Sequence, residues 1–273
     1  MLAFPFAKIN LGLNVVRKRA DGFHVIESVL VPIPLHDAVE IVTDPTLRPN
    51  EAIFTRSGIP VPGDPQDDLC LKAVRAVQAA RTLPGLRLHL HKVIPTGAGL
   101  GGGSSDAAHV LLLLNDLLDL QLGRAELHAM AATLGSDCPF FLEERPQLAE
   151  GRGEQLSPIT LDLRGQWLVL VNPGIHVGTA EVYRNTVPTE RSIDLPAALA
   201  RNSDTWRTSV VNTMEPYVFR THPAIAALHA TLHGMGAYYA AMSGSGSSVF
   251  GLFRERPVLP SFPVGHHVWC LQL

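Results

Sequence analysis

The residues of this chain best suited to chemistry form a loop rich in glycine. It reads Pro95-Thr96-Gly97-Ala98-Gly99-Leu100-Gly101-Gly102-Gly103-Ser104-Ser105 and is followed by an apolar run. Backbone with so few side chains exposes its N–H groups and lets them turn toward one point. Ser104 and Ser105 are good N-cap residues, so the pattern predicts that a helix begins at Ser104. Unpaired N–H groups and the dipole of a helix N-terminus favour negative charge, and the loop therefore predicts a phosphate site.

This glycine loop, residues 95–105, also matches other patterns. Gly97-x-Gly99-x-x-Gly102 satisfies the dinucleotide fingerprint of nicotinamide-dependent oxidoreductases. A dinucleotide unit places the turn after its first strand, whereas here a helix and strands precede the loop and a second helix follows it. The Gly-Lys-Ser/Thr sequence of a Walker A loop does not occur. A flexible linker is disfavoured because the loop joins a strand pattern to a capped helix.

Three further features suit phosphoryl transfer, which depends on cations, N–H groups and a group that orients the attacking hydroxyl. Lys8 is a cation in an apolar strand, and Asp137 lies in a helix break before Pro139. A second loop, Ser243-Gly244-Ser245-Gly246-Ser247-Ser248, offers more N–H and hydroxyl groups. Each feature also has an ordinary structural explanation that is at least as good: Lys8 as a solvated edge residue, Asp137 as a turn or cap residue, and the serine loop as a plain hairpin. Spacing alone does not show that they converge.

The elements that position these residues follow from hydrophobic periodicity. Strand patterns occur over residues 8–16, 25–33, 38–42, 86–94, 140–142, 161–172, 237–241, 249–253 and 267–271. Helical spacing occurs over residues 69–81, 104–120, 124–134, 179–184, 196–201, 210–219 and 224–235. A shift in composition near residue 155 predicts two domains, 1–155 and 156–273.

Composition excludes several classes of protein. The chain has 273 residues, of which 46% are hydrophobic and 17% charged, as expected of a compact enzyme rather than a disordered chain. The net charge of −3 gives no basic bias toward nucleic acid. The 3 cysteines are not spaced for disulfides or a metal, which favours the reducing cytoplasm. The N-terminus does not predict a signal peptide, and no apolar run approaches the length of a membrane span.

Taken together, the motifs resemble those of GHMP kinases. Besides the glycine loop, the matching segments are Ala7-Lys8-Ile9-Asn10-Leu11, Asp21-Gly22-Phe23-His24, Leu134-Gly135-Ser136-Asp137-Cys138-Pro139 and Met242-Ser243-Gly244-Ser245-Gly246. The resemblance implies an α/β (α+β) fold of two domains: an N-terminal ribosomal-protein-S5-like ATP-binding domain and a C-terminal ferredoxin-like substrate domain.

The narrower motifs around Lys8 and His24 resemble family members that phosphorylate the 2-hydroxyl of 4-diphosphocytidyl-2-C-methyl-D-erythritol in non-mevalonate isoprenoid biosynthesis. The resemblance implies ATP and Mg²⁺ as cofactors and a small-molecule substrate, with no nucleic-acid or membrane partner, and it leaves the oligomeric state open. Another GHMP kinase acting on a different small alcohol, and a non-catalytic RNA-binding module, remain alternatives.

The resemblance also implies roles for individual residues. Lys8 and Asp137 would be catalytic, Lys92 and the glycine loop would bind ATP, and Ser105 would lie near Mg²⁺. Ser243, Gly244, Ser245 and Gly246 would lie near the phosphates. The substrate would contact Asn10, Phe23, His24, Arg152, Thr179 and Tyr183.

Three positions depart from the family pattern. Phe23 replaces a usual tyrosine, which keeps a flat ring but loses a hydroxyl. Phe6 stands where small residues or proline are common. Asn212-Thr213-Met214-Glu215 replaces a frequent Asn-Asp-x-Glu, so the role of this segment is left open.

Overall fold

A computed structural model describes residues 1–190 and 194–273. The chain forms two compact units whose segments interleave along the sequence. Unit 1 comprises Met1–Ala7, Leu35–Thr96 and Gly101–Glu144, and unit 2 comprises Lys8–Pro34, Gly97–Leu100 and Arg145–Leu273. A boundary between domains at residue 155 stays a prediction. Among the described helices, none is long and apolar enough to cross a bilayer.

The described elements include twelve strands and eight α-helices, numbered in chain order. The strands are β1 (Leu2–Ala3), β2 (Phe6–Lys18), β3 (His24–His36), β4 (Ala38–Thr43), β5 (Ala52–Gly58), β6 (Leu86–Lys92), β7 (Gln147–Glu150), β8 (Gln155–Pro158), β9 (Trp167–Asn172), β10 (Tyr239–Met242), β11 (Val249–Phe253) and β12 (His267–Gln272). The helices are α1 (Leu69–Gln78), α2 (Gly102–Leu117), α3 (Arg124–Leu134), α4 (Thr179–Asn185), α5 (Leu195–Leu199), α6 (Trp206–Ser209), α7 (Glu215–Thr221) and α8 (Pro223–Gly234).

Unit 1 is a sheet packed against helices. Its strand order is β1-β4-β6-β5, with β5 parallel to β6 and the other neighbours antiparallel. Leu86, Leu88 and Leu90 alternate along β6 and are buried in one core with α1, α2 and α3. This period of two turns an apolar face of the sheet onto the helices and leaves the alternate residues toward solvent. Strand β6 thus leads directly into the glycine loop.

Unit 2 contains two sheets, with strand orders β2-β3-β7-β8 and β10-β11-β9-β12. β9 and β11 are antiparallel neighbours, and β11 is buried along its whole length. Their apolar side chains share a core with α7 and α8. The first residues of β2 and the last of β3 belong to unit 1, and the rest of this pair lies in unit 2. β2 carries Lys8, and the turn between β10 and β11 is the serine–glycine loop, residues 243–248.

Several local expectations are wrong. Helix α2 begins at Gly102, with Gly101 as N-cap at φ 72°, so Ser104 and Ser105 lie inside the first turn instead of capping it. Glycine adopts this left-handed conformation at little cost, and it therefore ends the loop earlier than a serine cap would. Residues 140–142 are not a strand but part of a 3-10 helix, Cys138–Leu142, because Pro139 presets a helical φ in its first turn.

The helix expected over residues 210–219 begins only at Glu215, where α7 starts. Asn212 instead forms a parallel bridge to Leu13 of β2. Pro216 fits the first helical turn, where a missing N–H costs nothing. The residues before Glu215 are therefore free to pair with a strand.

Candidate active site

The glycine loop is held in a conformation that only glycine adopts readily. Gly97, Gly99 and Gly101 have φ values of 66°, 77° and 72°. Helix α2 follows, and in the described structure no side chain caps its N-terminus. Its first N–H groups are therefore available to an anion, with the positive end of the helix dipole behind them. This is the local geometry of a phosphate site.

A pocket of about 240 Å³ in unit 1 adjoins this helix end. Thr96 and Gly103 of the glycine loop line it, and Leu69 and Leu90 supply apolar wall. The remaining lining residues are Arg56, Val61, Pro62, Gly63, Asp64, Asp67, Asp68, Lys92 and Asp106. An apolar wall beside an anion site suits a phosphorylated ligand with a flat ring.

Lys92 lies beneath the glycine loop as part of a buried charged triad with Asp37 and Asp106. Its Nζ donates to Asp37 Oδ2 at 2.5 Å and to Asp106 Oδ2 at 2.7 Å, and the Lys92 side chain is 2% exposed. A Cβ on Gly102 would stand 3.1 Å from this Nζ. The ammonium is thus used inside the protein, where it supports the loop.

The two aspartates of the triad differ in how they pair with the Lys92 charge. Burial lowers the pKa of Lys92, but Asp106 and Asp37 outweigh burial and raise it, so the lysine stays charged. Burial raises the pKa of Asp106 well above its usual range despite the Lys92 charge, and its Oδ1 has no hydrogen-bond partner among the described atoms. Asp37 accepts the N–H groups of Val93 and Ile94 as well. Asp37 is therefore the main counter-ion, and Asp106 keeps a proton.

Lys8, which lies in unit 2, is bonded to the glycine loop. Its backbone N–H donates to the Leu100 carbonyl at 3.0 Å, and its Nζ donates to the Gly99 carbonyl at 2.9 Å. The same Nζ donates to Asn10 Oδ1 at 2.6 Å, and Lys8 is 4% exposed. Asn10 is engaged at both atoms of its amide, since its Nδ2 donates to Ser28 Oγ at 2.7 Å. Asn10 therefore orients the lysine, and its contact with a substrate stays a prediction.

The serine–glycine loop closes on the same part of unit 2. Ser243 Oγ donates to the Gly99 carbonyl at 2.8 Å, and a Cβ on Gly99 would stand 1.9 Å from the Ser243 carbonyl oxygen. Ser245 Oγ lies 3.0 Å from Thr179 Oγ1 at the start of α4. Lys8 and Thr179, far apart in sequence, thus meet the two loops in one network.

Aromatic rings form a wall elsewhere in unit 2. The rings of His24 and Tyr183 stack with centroids 5.3 Å apart and an interplanar angle of 24°. Burial, and then the Lys18 charge, lower the pKa of His24, so the ring is neutral near pH 7 and one nitrogen can accept a hydrogen bond. Phe23 is 55% exposed, and the guanidinium of Arg152 lies 5.1 Å from its ring centroid. These four predicted substrate residues thus form two contacts in space, and Phe23 and His24 link the two contacts because they are adjacent in the sequence.

Arg152 is engaged beyond its contact with Phe23. Its side chain, 43% exposed, forms an ion pair of 3.6 Å with Glu154. An exposed pair of this kind contributes little to stability, so the arginine can exchange Glu154 for another anion. The placement is compatible with the expected contact to a substrate diphosphate.

The predicted residues of unit 1 differ in accessibility. Asp137 is half-buried and precedes the 3-10 helix, where its carbonyl accepts the Phe140 N–H while its side chain makes no capping bond. Ser105 is fully buried inside α2, and its carbonyl contacts His109 Nδ1 at 2.8 Å. A buried hydroxyl does not suit a Mg²⁺ ligand, because this ion keeps several waters.

Comparison with known proteins decides the family. Residues 68–144 match the model of the GHMP kinases N terminal domain, and residues 190–258 match that of the GHMP kinases C terminal. The 4-diphosphocytidyl-2-C-methyl-D-erythritol kinase of Parabacteroides distasonis is 47% identical over 257 residues, which are 94% of this chain and 93% of that protein. The protein of the same name from Cytophaga hutchinsonii is 45% identical and covers 94% of each chain. This chain belongs to the GHMP kinase family.

Solved structures agree with this assignment. A crystal structure of 4-(cytidine 5'-diphospho)-2C-methyl-D-erythritol kinase superposes with a TM-score of 0.78 at 35% identity, covering 92% of this chain and 90% of that one. The mevalonate kinase of Methanococcus jannaschii reaches a TM-score of 0.71 at 12% identity and shares the fold alone. The expected two-domain GHMP kinase fold is confirmed, and the chain is a kinase of a small molecule.

Sequence reasoning missed two parts of this kinase's candidate site. The pocket wall at Val61 and Pro62 comes from a stretch, residues 44–68, that is rich in proline, glycine and aspartate and predicted at most one or two short strands. Asn212 contacts Gly244 of the serine–glycine loop and Glu215 contacts Met242 directly before it, but their segment had no assigned role. The departure of this segment from the family pattern was the only signal that pointed to it.

Proposed function

We propose that this kinase transfers the γ-phosphate of ATP to the 2-hydroxyl of 4-diphosphocytidyl-2-C-methyl-D-erythritol. Relatives with that name are 47% and 45% identical over nearly the full chain. The observation that carries the substrate is the stacked pair of His24 and Tyr183, because a flat, partly exposed aromatic wall suits a pyrimidine base. We also propose that the reaction takes place in the cytoplasm, where the free thiols of Cys70, Cys138 and Cys270 would stay reduced.

The nucleotide is proposed to bind through unit 1 and the glycine loop. The uncapped N-terminus of α2 and the left-handed glycines would hold the phosphates. The pocket beside Thr96 and Gly103 would take the nucleoside. Lys92 would act from below, since its ammonium is already paired with Asp37 and Asp106.

The transfer step is proposed to use Lys8 and Asp137. Lys8 would stabilise negative charge on the transferred phosphoryl group, because a cation fixed by Asn10 and Gly99 needs no reorganisation during the reaction. Asp137 would accept a hydrogen bond from the substrate hydroxyl and orient it toward the phosphorus. Attack forms the new O–P bond while the hydroxyl proton passes to the Asp137 carboxylate, the bond between the γ-phosphorus and the β–γ bridging oxygen breaks, and ADP leaves.

The substrate is proposed to rest on the aromatic wall of unit 2. Phe23 or the His24–Tyr183 pair would stack on cytosine, and neutral His24 would meet its polar edge. Arg152 would exchange Glu154 for the diphosphate. Thr179 would contact the substrate from α4, while Asn10 serves through Lys8.

Mg²⁺ is expected to enter with ATP, which supplies phosphate oxygens as ligands. Within residues 1–190 and 194–273, no group of three or more histidine, cysteine, aspartate or glutamate side chains suits a metal. Ser105 does not fit the ion either, because its side chain is fully buried.

An assay of ATP consumption tests this function. The purified kinase is incubated with ATP, Mg²⁺ and the cytidylyl methylerythritol substrate, or with mevalonate, homoserine or galactose instead. We expect turnover with the cytidylyl substrate and a kcat/KM at least ~10²-fold lower with the other acceptors. These acceptors have no cytosine, so they would leave the polar groups of the base site without hydrogen-bond partners. Equal or greater turnover with another acceptor would overturn the proposed substrate.

His24→Ala tests the aromatic wall. The KM for the cytidylyl substrate should rise about 10-fold with kcat within about twofold, since base stacking contributes ~1–3 kcal/mol. His91→Ala, at an exposed position of β6 in unit 1, is the control and should leave both constants unchanged. An unchanged KM in the His24 variant would remove this residue from the base site.

A further inference from the structure

The segment of residues 211–215 contacts the serine–glycine loop through a buried amide. Asn212 Nδ2 donates to the carbonyl oxygens of Met242 and Gly244 at 2.9 and 2.8 Å. Its Oδ1 accepts the Met214 N–H at 3.0 Å, and the residue is 2% exposed. Both donor hydrogens of the amide thus serve the residues on either side of Ser243.

Glu215 contacts Met242, the last residue of β10, directly before the serine–glycine loop. Its Oε1 accepts the Met242 N–H at 2.8 Å. Met242 is therefore fixed at its carbonyl by Asn212 and at its amide by Glu215. The residue that leads into the serine–glycine loop is thus held at both of its backbone polar groups, which limits how far the start of the loop can shift.

The segment is also joined to β2, the strand that carries Lys8. The Thr213 N–H donates to the Leu13 carbonyl at 2.8 Å, and Thr213 Oγ1 accepts the Val15 N–H at 3.0 Å. Thr213 Oγ1 also donates to the Leu13 carbonyl at 3.2 Å, which an ionised aspartate at this position cannot do. The threonine therefore fits the strand contact, and the segment links β2 to the serine–glycine loop.

From Ser243 the network continues to the proposed catalytic cation. Ser243 Oγ and Lys8 Nζ both donate to the Gly99 carbonyl, at 2.8 and 2.9 Å. The Gly99 Cα lies so close to the Ser243 carbonyl oxygen that a Cβ would stand 1.9 Å from it. A shift of Ser243 must therefore move Gly99, and with it an acceptor of the ammonium.

We propose that Asn212 is a positioning residue for phosphoryl transfer, which holds Ser243 so that the Gly99 carbonyl keeps the Lys8 ammonium in place. The proposal rests on the proposed role of Lys8 in the transfer step. Loss of the amide donors leaves two carbonyl oxygens without them, which favours a displaced loop. Displacement of a charge-stabilising group by about 1 Å lowers the rate by up to ~10²-fold.

A double-mutant cycle with Asn212→Asp and Lys8→Met tests this coupling. Asn212→Asp keeps the shape and the acceptor of the Met214 N–H but replaces the donating amide nitrogen. We expect kcat to fall 10-fold to 100-fold in the wild-type background, with both KM values within about twofold. In the Lys8→Met background the same change should lower kcat by less than about twofold, because the cation it positions is gone. Equal losses in the two backgrounds would overturn the proposal.

Hydrogen exchange of the free protein provides a readout that does not depend on activity. Amides of residues 97–100 should exchange at least about fivefold faster in Asn212→Asp, since their anchor at Ser243 is loosened. Asn115→Asp is the matched control: Asn115 Oδ1 accepts the Leu122 N–H in unit 1, and this acceptor survives the change. The control should leave kcat and the exchange of residues 97–100 unchanged. Unchanged exchange in Asn212→Asp would also contradict the proposal.

If the aspartate variant does not fold, Asn212→Ser is a milder substitute, because its hydroxyl keeps one donor. We expect its kcat to lie between the wild-type value and about 10-fold below it. If wild-type kinase prefers mevalonate, homoserine or galactose, the proposed substrate fails, and the same cycle run with the preferred acceptor still decides the role of Asn212.

Discussion

At the scale of single residues, the structure separates two lysines that look alike in sequence. Lys92 is neutralised by Asp37 and Asp106 beneath the glycine loop, whereas Lys8 is oriented by Asn10 and the Gly99 carbonyl. Asp37 offsets the charge of Lys92 inside unit 1, whereas the Lys8 ammonium is held next to Gly99 of the glycine loop. This placement beside the loop supports the proposal that Lys8 is the cation of the transfer step.

Asp137→Asn tests the residue proposed to orient the substrate hydroxyl. The amide keeps the size of the side chain but loses its charge and half of its acceptor capacity, so kcat should fall ~10²–10⁴-fold. Circular dichroism and the urea midpoint should match wild type. Asp116→Asn, on an exposed position of α2, changes the net charge equally and should retain wild-type kcat. Retention of activity in Asp137→Asn would eliminate the proposed role.

Gly99→Ala tests the contact between the two loops. Its φ of 77° costs an alanine about 1–2 kcal/mol, and a Cβ would stand 1.9 Å from the Ser243 carbonyl oxygen. Gly165→Ala is the control, because Gly165 has a φ of 79° with nothing within 4 Å of its Cβ position. We expect both variants to lose about 1–2 kcal/mol of unfolding free energy because alanine is strained at a left-handed φ. Gly99→Ala should lose more than this, and its kcat should fall about 100-fold, because its Cβ also meets the Ser243 carbonyl oxygen. Equal losses would show that the close approach is unimportant.

At the scale of elements, the charged triad joins the end of β6 to the first turns of α2. Lys92 ends β6, Asp106 lies in α2, and Asp37 connects β3 to β4. The loss of stability on breaking up such a buried group depends on which member is removed, because removal of one partner can leave an uncompensated buried charge. The triad therefore fixes where the glycine loop leaves the sheet of unit 1.

Lys92→Met and Asp106→Asn should differ in stability. Lys92→Met leaves two acids buried without their cation and should lower the unfolding free energy by about 3–5 kcal/mol. Asp106→Asn replaces a carboxyl that keeps its proton, because burial raises its pKa, and should change stability by less than ~1 kcal/mol. Urea unfolding at pH 7 measures both. A large loss in Asp106→Asn would indicate that this carboxyl is ionised in the native protein.

At the scale of the whole molecule, buried titratable groups make stability depend on pH in opposite directions. Burial lowers the pKa of His109 and His229 below the ordinary histidine value of 6.5. The unfolded chain therefore binds more protons at these histidines than the folded chain does, so stability rises as pH rises to about 6.5. Burial raises the pKa of Glu215 to about 7, although the Met242 N–H opposes it. The folded chain then holds a proton that the unfolded chain releases above about pH 4.5.

Glu215→Gln isolates this second contribution. As pH rises from about 4.5 to about 7, wild type should lose roughly 2–3 kcal/mol of unfolding free energy relative to the variant, and the difference should then level off. The buried Tyr239 hydroxyl, whose own pKa is raised by burial and by the Glu215 charge, stays protonated throughout and does not contribute. Urea unfolding of both proteins between pH 4.5 and 8 gives the difference. A constant difference over this range would mean that Glu215 titrates normally.

The sequence by itself determined the reaction class and the outline of the fold. The glycine loop, the periodic strands and helices, and the motifs of the family are local patterns, because backbone conformation and amphipathic faces depend on residues a few positions apart. Helix α3 and strand β11 have the predicted bounds. The local errors at residues 104 and 140–142 arose where glycine or proline set the backbone before side-chain preference could.

Only the tertiary structure decided which polar groups are used up inside the protein. Lys8 and Gly99 are 91 positions apart, and Gly99 and Ser243 are 144 apart, yet one carbonyl joins all three. The spacing of residues along the sequence cannot reveal such bonds. Each bond forms only where distant segments pack together and exclude water from the two polar groups. The engagement of Asn10 and the anchoring by Asn212 therefore became visible only when the chain was folded.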